Sequence, residues 1–114
     1  MRLGFLFNDG TTRTIEAIKF LLHKYDFVQI GCNVTDSWYW KNNNDYTIVP
    51  GGKQIGGHAI LACGWSIDGL YIQNSWGKEW GAKSFAIIRW DAFLEQFLYA
   101  CYIDNLYELK IEQI

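Results

Sequence analysis

An excess of charge of either sign is missing from this chain. Ten Lys and Arg stand against twelve Asp and Glu, a formal net charge of −2. With no positive field to neutralise a phosphate backbone, nucleic acid is not an expected partner. Proline occurs once and glycine eleven times among 114 residues, half of them hydrophobic, which excludes collagen-like repeats and low-complexity disorder. Long apolar runs are missing too. Asp, Lys, Asn or Gln interrupts every hydrophobic stretch before the roughly 18 to 20 residues of a membrane span, and Leu3 to Phe7 is too short for the apolar region of a secretory signal. The expectation is a soluble chain with no membrane partner, cytoplasmic or part of a larger assembly. An opening Met1 with a helix soon after it favours a complete reading frame, as opposed to an excised piece.

Cysteine and histidine are sparse. Cys32, Cys63 and Cys101 are odd in number, far apart and without a C-x-x-C pair, which suggests neither a disulfide framework nor a zinc knuckle. His23 and His58 add no ligand spacing, so no metal and no cofactor are expected. What the chain has in abundance is aromatic side chains: six Trp, seven Tyr and seven Phe. A single domain over 1–114 buries only about two thirds of its unfolded surface, so some of these rings belong at a cleft or a partner interface.

Periodicity gives the elements. After the turn signal Asn8-Asp9-Gly10, Ile15, Ile18, Leu21, Leu22 and Tyr25 recur at helical spacing and predict a helix over Arg13 to Tyr25, with Glu16 in its first turn. Asp26 ends it. Phe27, Val28, Ile30, Cys32 and Val34 read as a buried strand, and 41–45 and Pro50-Gly51-Gly52 as loops. Strands follow at His58 to Trp65, Leu70 to Ser75 and Ser84 to Arg89, the first two joined by a hairpin at Asp68-Gly69. Ala92 to Phe97 reads as a short helix and Leu98 to Ile103 as a closing strand. Residues 104–114 alternate weakly, as one more edge strand or as a tail. The fold class is α+β: a mainly antiparallel sheet or open barrel carrying one substantial helix near the N-terminus.

One constellation carries chemistry. Gly57-His58-Ala59-Ile60 and Gly64-Trp65 are followed by Tyr71-Ile72-Gln73-Asn74-Ser75-Trp76-Gly77 and then Trp80-Gly81, with sixteen residues from His58 to Asn74. This order resembles the C-terminal, His/Asn-bearing half of the papain-like cysteine peptidases, over roughly Thr12 to Ile103. The resemblance implies that His58 is the base that takes a thiol proton and that Asn74 orients its ring. It makes Trp76 the cover over that contact, and gives Gly57 and Trp76 substrate-binding roles. Ser84-Phe85 stands where the family pattern expects Gly-Tyr, so the local backbone departs from it. The larger departure is the absence of the Q-x-x-x-C-G-S-C-W segment that supplies the nucleophile and an oxyanion donor. Gln29-Ile30-Gly31-Cys32 does not replace it, because Cys32 lies in a buried strand after the helix. Cys63 has opposite parity to His58, and Cys101 reads as core. Trp38, Tyr39, Trp40 and Trp65 read as core or rim packing.

The leading expectation is therefore a half-domain that is inactive alone. It would act as a non-catalytic interaction module, a pseudo-peptidase with a regulatory or assembly role, whose cleft face is covered by a protein partner or by a homo-oligomer. The alternative is the His/Asn half of a split or processed cysteine peptidase that hydrolyses peptide or protein substrates with a separate Cys-bearing chain. A third reading recruits one of the chain's own thiols as nucleophile.

Overall fold

The chain opens with a strand, β1 (Arg2–Phe7), and the loop after it is built to start a helix. In the computed structural model, which describes residues 2–40 and 45–104, Asp9 Oδ1 accepts hydrogen bonds from the Thr11 hydroxyl, the Thr14 hydroxyl and the Thr11 amide. Those bonds hold the Asp9 carboxyl down at a pKa of about 2. Thr11 Oγ1 in turn accepts from the Arg13 amide at 3.2 Å, occupying one of the donors that the first turn leaves free. Helix α1 (Thr12–Tyr25) follows and ends at Asp26, whose φ of 65° turns the chain while its amide donates to Leu22 O. Glu16 corrects the expectation. The helix starts at Thr12, so Glu16 lies beyond its first turn and sits 3.8 Å from Lys19 instead.

The remaining elements are β2 (Val28–Thr35), a 3-10 turn (Asp36–Tyr39), β3 (Thr47–Ile48), β4 (Gln54–Trp65), β5 (Gly69–Gln73), β6 (Phe85–Arg89), α2 (Trp90–Gln96) and β7 (Phe97–Asp104). The strands form one seven-stranded sheet in the order β1-β7-β2-β4-β5-β6-β3, antiparallel except for the β3–β6 pair. Its end strands β1 and β3 do not meet, so the architecture is α+β with an open sheet. Strand β1 was not foreseen; Leu3 to Phe7 is short, and its partner lies almost a hundred residues away. Phe27 is a second correction. It precedes β2 and is exposed. Residues 41–44 and 105–114 lie outside the described residues, and with them most of the expected 41–45 loop and of the edge strand or tail at 104–114.

Alternation decides the core. Val28, Ile30, Cys32 and Val34 of β2, Ile60 and Ala62 of β4, Leu70 and Ile72 of β5, and Ile88 of β6 point to one face. There they meet Ile18, Leu21 and Leu22 of α1 and Phe93 of α2. Full burial of each such aliphatic side chain contributes about 1.5–3 kcal/mol. Two glycines let aromatic rings lie flat across the sheet: a Cβ at Gly4 would collide with the Tyr102 ring, and one at Gly31 with the Tyr99 ring. On the helix side, the Lys19 ammonium sits 4.8 Å from the Trp65 ring and 5.2 Å from the Trp90 ring. This ties α1 to the β4–β5 hairpin and explains why Trp65 is only partly buried.

Candidate active site

The β4–β5 hairpin sets the site. Leu61 pairs with Gln73, and continuing that register places Asn74 across from Ile60. His58 and Asn74 are then diagonal neighbours on one sheet face, within reach of each other. The Asn74 amide donates to Ser84 O at 2.9 Å, which fixes the chain just past the end of β5. From there His58 Nε2 and Asn74 Oδ1 lie 2.7 Å apart.

The proton's position follows from the neighbours. Asn74 Oδ1 also receives the Ser75 backbone N–H at 2.8 Å. A backbone amide only donates, so the atom it meets is the side-chain oxygen, and an oxygen of this kind only accepts. His58 Nε2 therefore carries hydrogen and donates it. In the neutral ring Nδ1 then holds a lone pair, and it has no hydrogen-bond partner among the described residues. The pair presents an oriented imidazole with its basic nitrogen free.

Trp76 covers this pair. Its ring stacks on His58 with centroids 5.0 Å apart and an interplanar angle of 22°. It is supported from several directions. Tyr39 stacks against it at 5.6 Å and 7°, Trp38 lies tilted at 6.0 Å, and Trp80 meets it edge-on at 5.7 Å. Trp38 is completely buried and donates its indole N–H to Gln96 Oε1 at 2.9 Å, while Trp80 donates to Trp38 O at 2.9 Å. Gln96 in turn donates to Val49 O at 3.3 Å. Indole hydrogen bonds thus lock Trp38 and Trp80, Trp76 packs against them and Tyr39 against Trp76, and the surplus of aromatics becomes a platform behind the imidazole.

Tyr39, read as core or rim packing, is a half-exposed ring at the rim that stacks on Trp76. One member of that platform escaped the sequence reading. Gln96 carries no motif, and only its burial opposite Trp38 identifies it.

The thiols lie elsewhere. Cys32 pairs in register with His58 across β2 and β4, but it is 1% exposed and burial pushes its thiol up to about 12. Cys63 is half-buried, donates to Tyr71 O at 3.5 Å and has its pKa raised by burial. Cys101 is partly buried on β7, directly opposite Phe5 of β1. A reactive thiol needs a depressed pKa and an electropositive, accessible setting, which neither Cys32 nor Cys63 has. Among the described residues no cluster of three His, Cys, Asp or Glu side chains could hold a metal, and no helix is long and apolar enough to cross a membrane.

One polar group is unmatched. Asn74 is 5% exposed, and its Nδ2 is buried with no hydrogen-bond partner among the described residues, a situation that costs about 1–3 kcal/mol. Asn74 lines an open pocket of about 530 Å³ together with Gln29, Ala59, Leu61, Gln73 and Ser75. Gly57 is exposed on the adjoining stretch of β4, opposite Asn33.

Comparison with known proteins gives a consistent set. No protein-family model matches the chain. It is 32% identical over 83 residues to cathepsin B-like cysteine proteinase 3 of Caenorhabditis elegans, covering 69% of this chain and 22% of that protein. It is 32% identical over 80 residues to cathepsin B-like cysteine proteinase 6 of the same organism, covering 67% and 21%. The chain thus spans about a fifth of the length of these relatives. Among solved structures, xylellain, a cysteine protease from Xylella fastidiosa, superposes with a TM-score of 0.64 at 19% identity, over 89% of this chain and 40% of that one. PepW from Lactobacillus rhamnosis superposes with a TM-score of 0.60 at 13% identity, over 89% and 29%. These likenesses speak for the fold.

Proposed function

Because this chain is a homologue of the papain-like cysteine peptidases, matching their C-terminal part, we propose that it supplies the base half of a thiol peptidase site and is inert until a Cys-bearing segment covers its cleft face. The observation that carries this reading is the 2.7 Å His58–Asn74 contact under Trp76. In the completed site a cysteine thiol from the partner segment gives its proton to His58 Nδ1. The thiolate attacks a peptide carbonyl, and the imidazolium returns the proton to the leaving amine. Asn74 holds Nε2–H throughout, so Nδ1 stays the basic nitrogen and the ring stays aimed. Trp76 and its supports keep water away from that hydrogen bond, which strengthens it.

The second reading is the non-catalytic interaction module, and the placement of the thiols supports it as it supports the first. Cys32 is sealed in the core, Cys63 is bonded to β5, and Cys101 lies on the far strand beside β1. In that reading the same face binds a protein without chemistry.

The experiment is complementation. The Cys-bearing N-terminal half of cathepsin B-like cysteine proteinase 3 is coexpressed with this chain, and hydrolysis of a fluorogenic peptide is followed with and without a thiol-directed epoxide inhibitor. The expected result is inhibitor-sensitive hydrolysis by the complex and none by the chain alone. His58→Ala should lower the rate by about 10²–10⁴, as for loss of a general base. A complex that forms but stays inert would leave the interaction module as the function. Hydrolysis by the isolated chain would overturn both readings.

A further inference from the structure

A separate surface lies at the other end of the sheet, and the inference drawn from it does not depend on the peptidase reading. The two end strands are treated very differently. β3 is two residues long, the kind of short edge that resists pairing with another chain. β1 has six residues, pairs regularly with β7 from Arg2↔Asp104 to Phe7↔Tyr99, and leaves its outer side without a strand among the described residues. From Leu3 to Phe7 it has no charge, no proline and no bulge, so beyond Arg2 at its start the strand lacks the features that protect an edge.

Its side chains point the same way. Leu3, Phe5 and Phe7 are 62%, 52% and 69% exposed, and the two phenyl rings stack at 6.3 Å. Ile103, Cys101 and Tyr99 of β7 stand opposite them on the same face and extend the apolar strip.

We infer that β1 pairs antiparallel with β1 of a second copy, joining two seven-stranded sheets into one. The strand is self-complementary in a way that fixes the register. Directly opposed residues share a face, so a pairing that keeps all the exposed side chains together must set odd residues against odd ones. The register that also uses the whole apolar stretch places Phe5 opposite Phe5 of the second copy and Leu3 opposite Phe7. Six apolar side chains then cluster on one face around a twofold axis, and the assembly closes as a dimer.

The area sets the strength. The three half-exposed side chains supply roughly 300 Å² per copy, and the backbone edge adds to it. The total stays below the ~800 Å² per partner of a standard interface, so the dimer is weak and concentration-dependent.

Sedimentation equilibrium of the chain from micromolar to several hundred micromolar, with hydrogen exchange of the β1 amides at both ends of the range, tests this. The expected result is a monomer–dimer equilibrium with β1 amides that become protected as dimer forms. Phe5→Lys places two ammonium groups against each other at the axis and should raise the dissociation constant at least tenfold. Ile67→Lys, at a side chain that is 91% exposed on the β4–β5 turn, should leave it unchanged. Circular dichroism establishes that the variants fold, and the exchange data on the unmutated chain stand without them. A monomer at every concentration overturns the inference, and β1 amides protected in that monomer would assign the edge to the chain itself. Association that responds to Ile67→Lys and not to Phe5→Lys overturns it as nonspecific adhesion.

Discussion

Raising the pH above 9 should destabilise this protein through one thiol, and the same experiment decides whether that thiol can serve as a nucleophile. Cys32 is 1% exposed, and burial lifts its pKa from an ordinary 9.0 to about 12. Between those values the unfolded chain has lost the thiol proton while the folded chain keeps it. The unfolded state therefore binds fewer protons, and stability falls by about 1.4 kcal/mol per pH unit. From pH 9 to 11 the loss is about 2 kcal/mol, a large share of the 5–15 kcal/mol that a domain usually has.

Replacing Cys32 with Ala removes that slope while emptying a small volume beside Ile30 and Ile60, at a cost of about 1 kcal/mol. The two stability profiles should therefore cross. Urea denaturation at a series of pH values from 8 to 11 would show the variant weaker than the parent at pH 8 and stronger by pH 11. The other ionisable groups are common to both proteins and cancel in the difference. Parallel profiles would refute the reasoning. So would alkylation of Cys32 in the native protein at neutral pH at the rate of a free thiol, because a reactive Cys32 facing His58 across the strand pair would restore the self-contained hydrolase.

Other perturbations follow from single contacts. Ser84 has φ 76°, a conformation that favours glycine, so Ser84→Gly should stabilise the fold by about 0.5–1 kcal/mol in urea denaturation once the unfolded-state entropy of glycine is subtracted; equal or lower stability would argue against strain there. Gly69→Ala drives a methyl into the backbone carbonyl of Ile88 and should cost about 2–3 kcal/mol, whereas at Gly57 the nearest atom to an added Cβ is Cys32 O at 4.0 Å, so Gly57→Ala should leave the thermal midpoint nearly unchanged. Asp9, with its pKa lowered from 3.8 to about 2 by the Thr11 and Thr14 hydroxyls, stabilises the fold above pH 3.8, and that contribution disappears as pH falls through 2. Asp9→Asn should flatten this part of the acid-denaturation profile, and an unchanged profile would contradict the assignment.

The elements legible in the sequence are those whose signals are local. Thr11, the 3.6-residue spacing of Ile15, Ile18 and Leu22, and Asp26 with its left-handed turn define α1 almost to the residue. Asp68-Gly69 between apolar runs defines the hairpin. β1 stayed hidden because a strand at a sheet edge needs only one paired side, and its partner β7 lies at the opposite end of the chain. Ser84 went the other way: a serine at an expected glycine position implied a departure of the local backbone, yet the residue keeps φ 76°, in the region that glycine favours. The Tyr39 stack and the Gln96–Trp38 bond carry no periodicity or motif, and each depends on a tertiary approach that no local pattern encodes.

The same distinction explains why half of an active site can be orderly by itself. His58 and Asn74 belong to one hairpin and are sixteen residues apart, so the sheet register alone brings them together. Trp76 follows two residues later and packs against Trp38 and Trp80, which are themselves fixed by indole hydrogen bonds made inside the same domain. Among the described residues, the one buried side-chain atom this scaffold leaves unsatisfied is Asn74 Nδ2, on the residue that must hold the imidazole, at a cost of about 1–3 kcal/mol. Because that atom is sealed from the surface, a covering chain does not relieve the cost. The His58–Asn74 pair is aligned by the hairpin and the aromatic platform, before any partner docks.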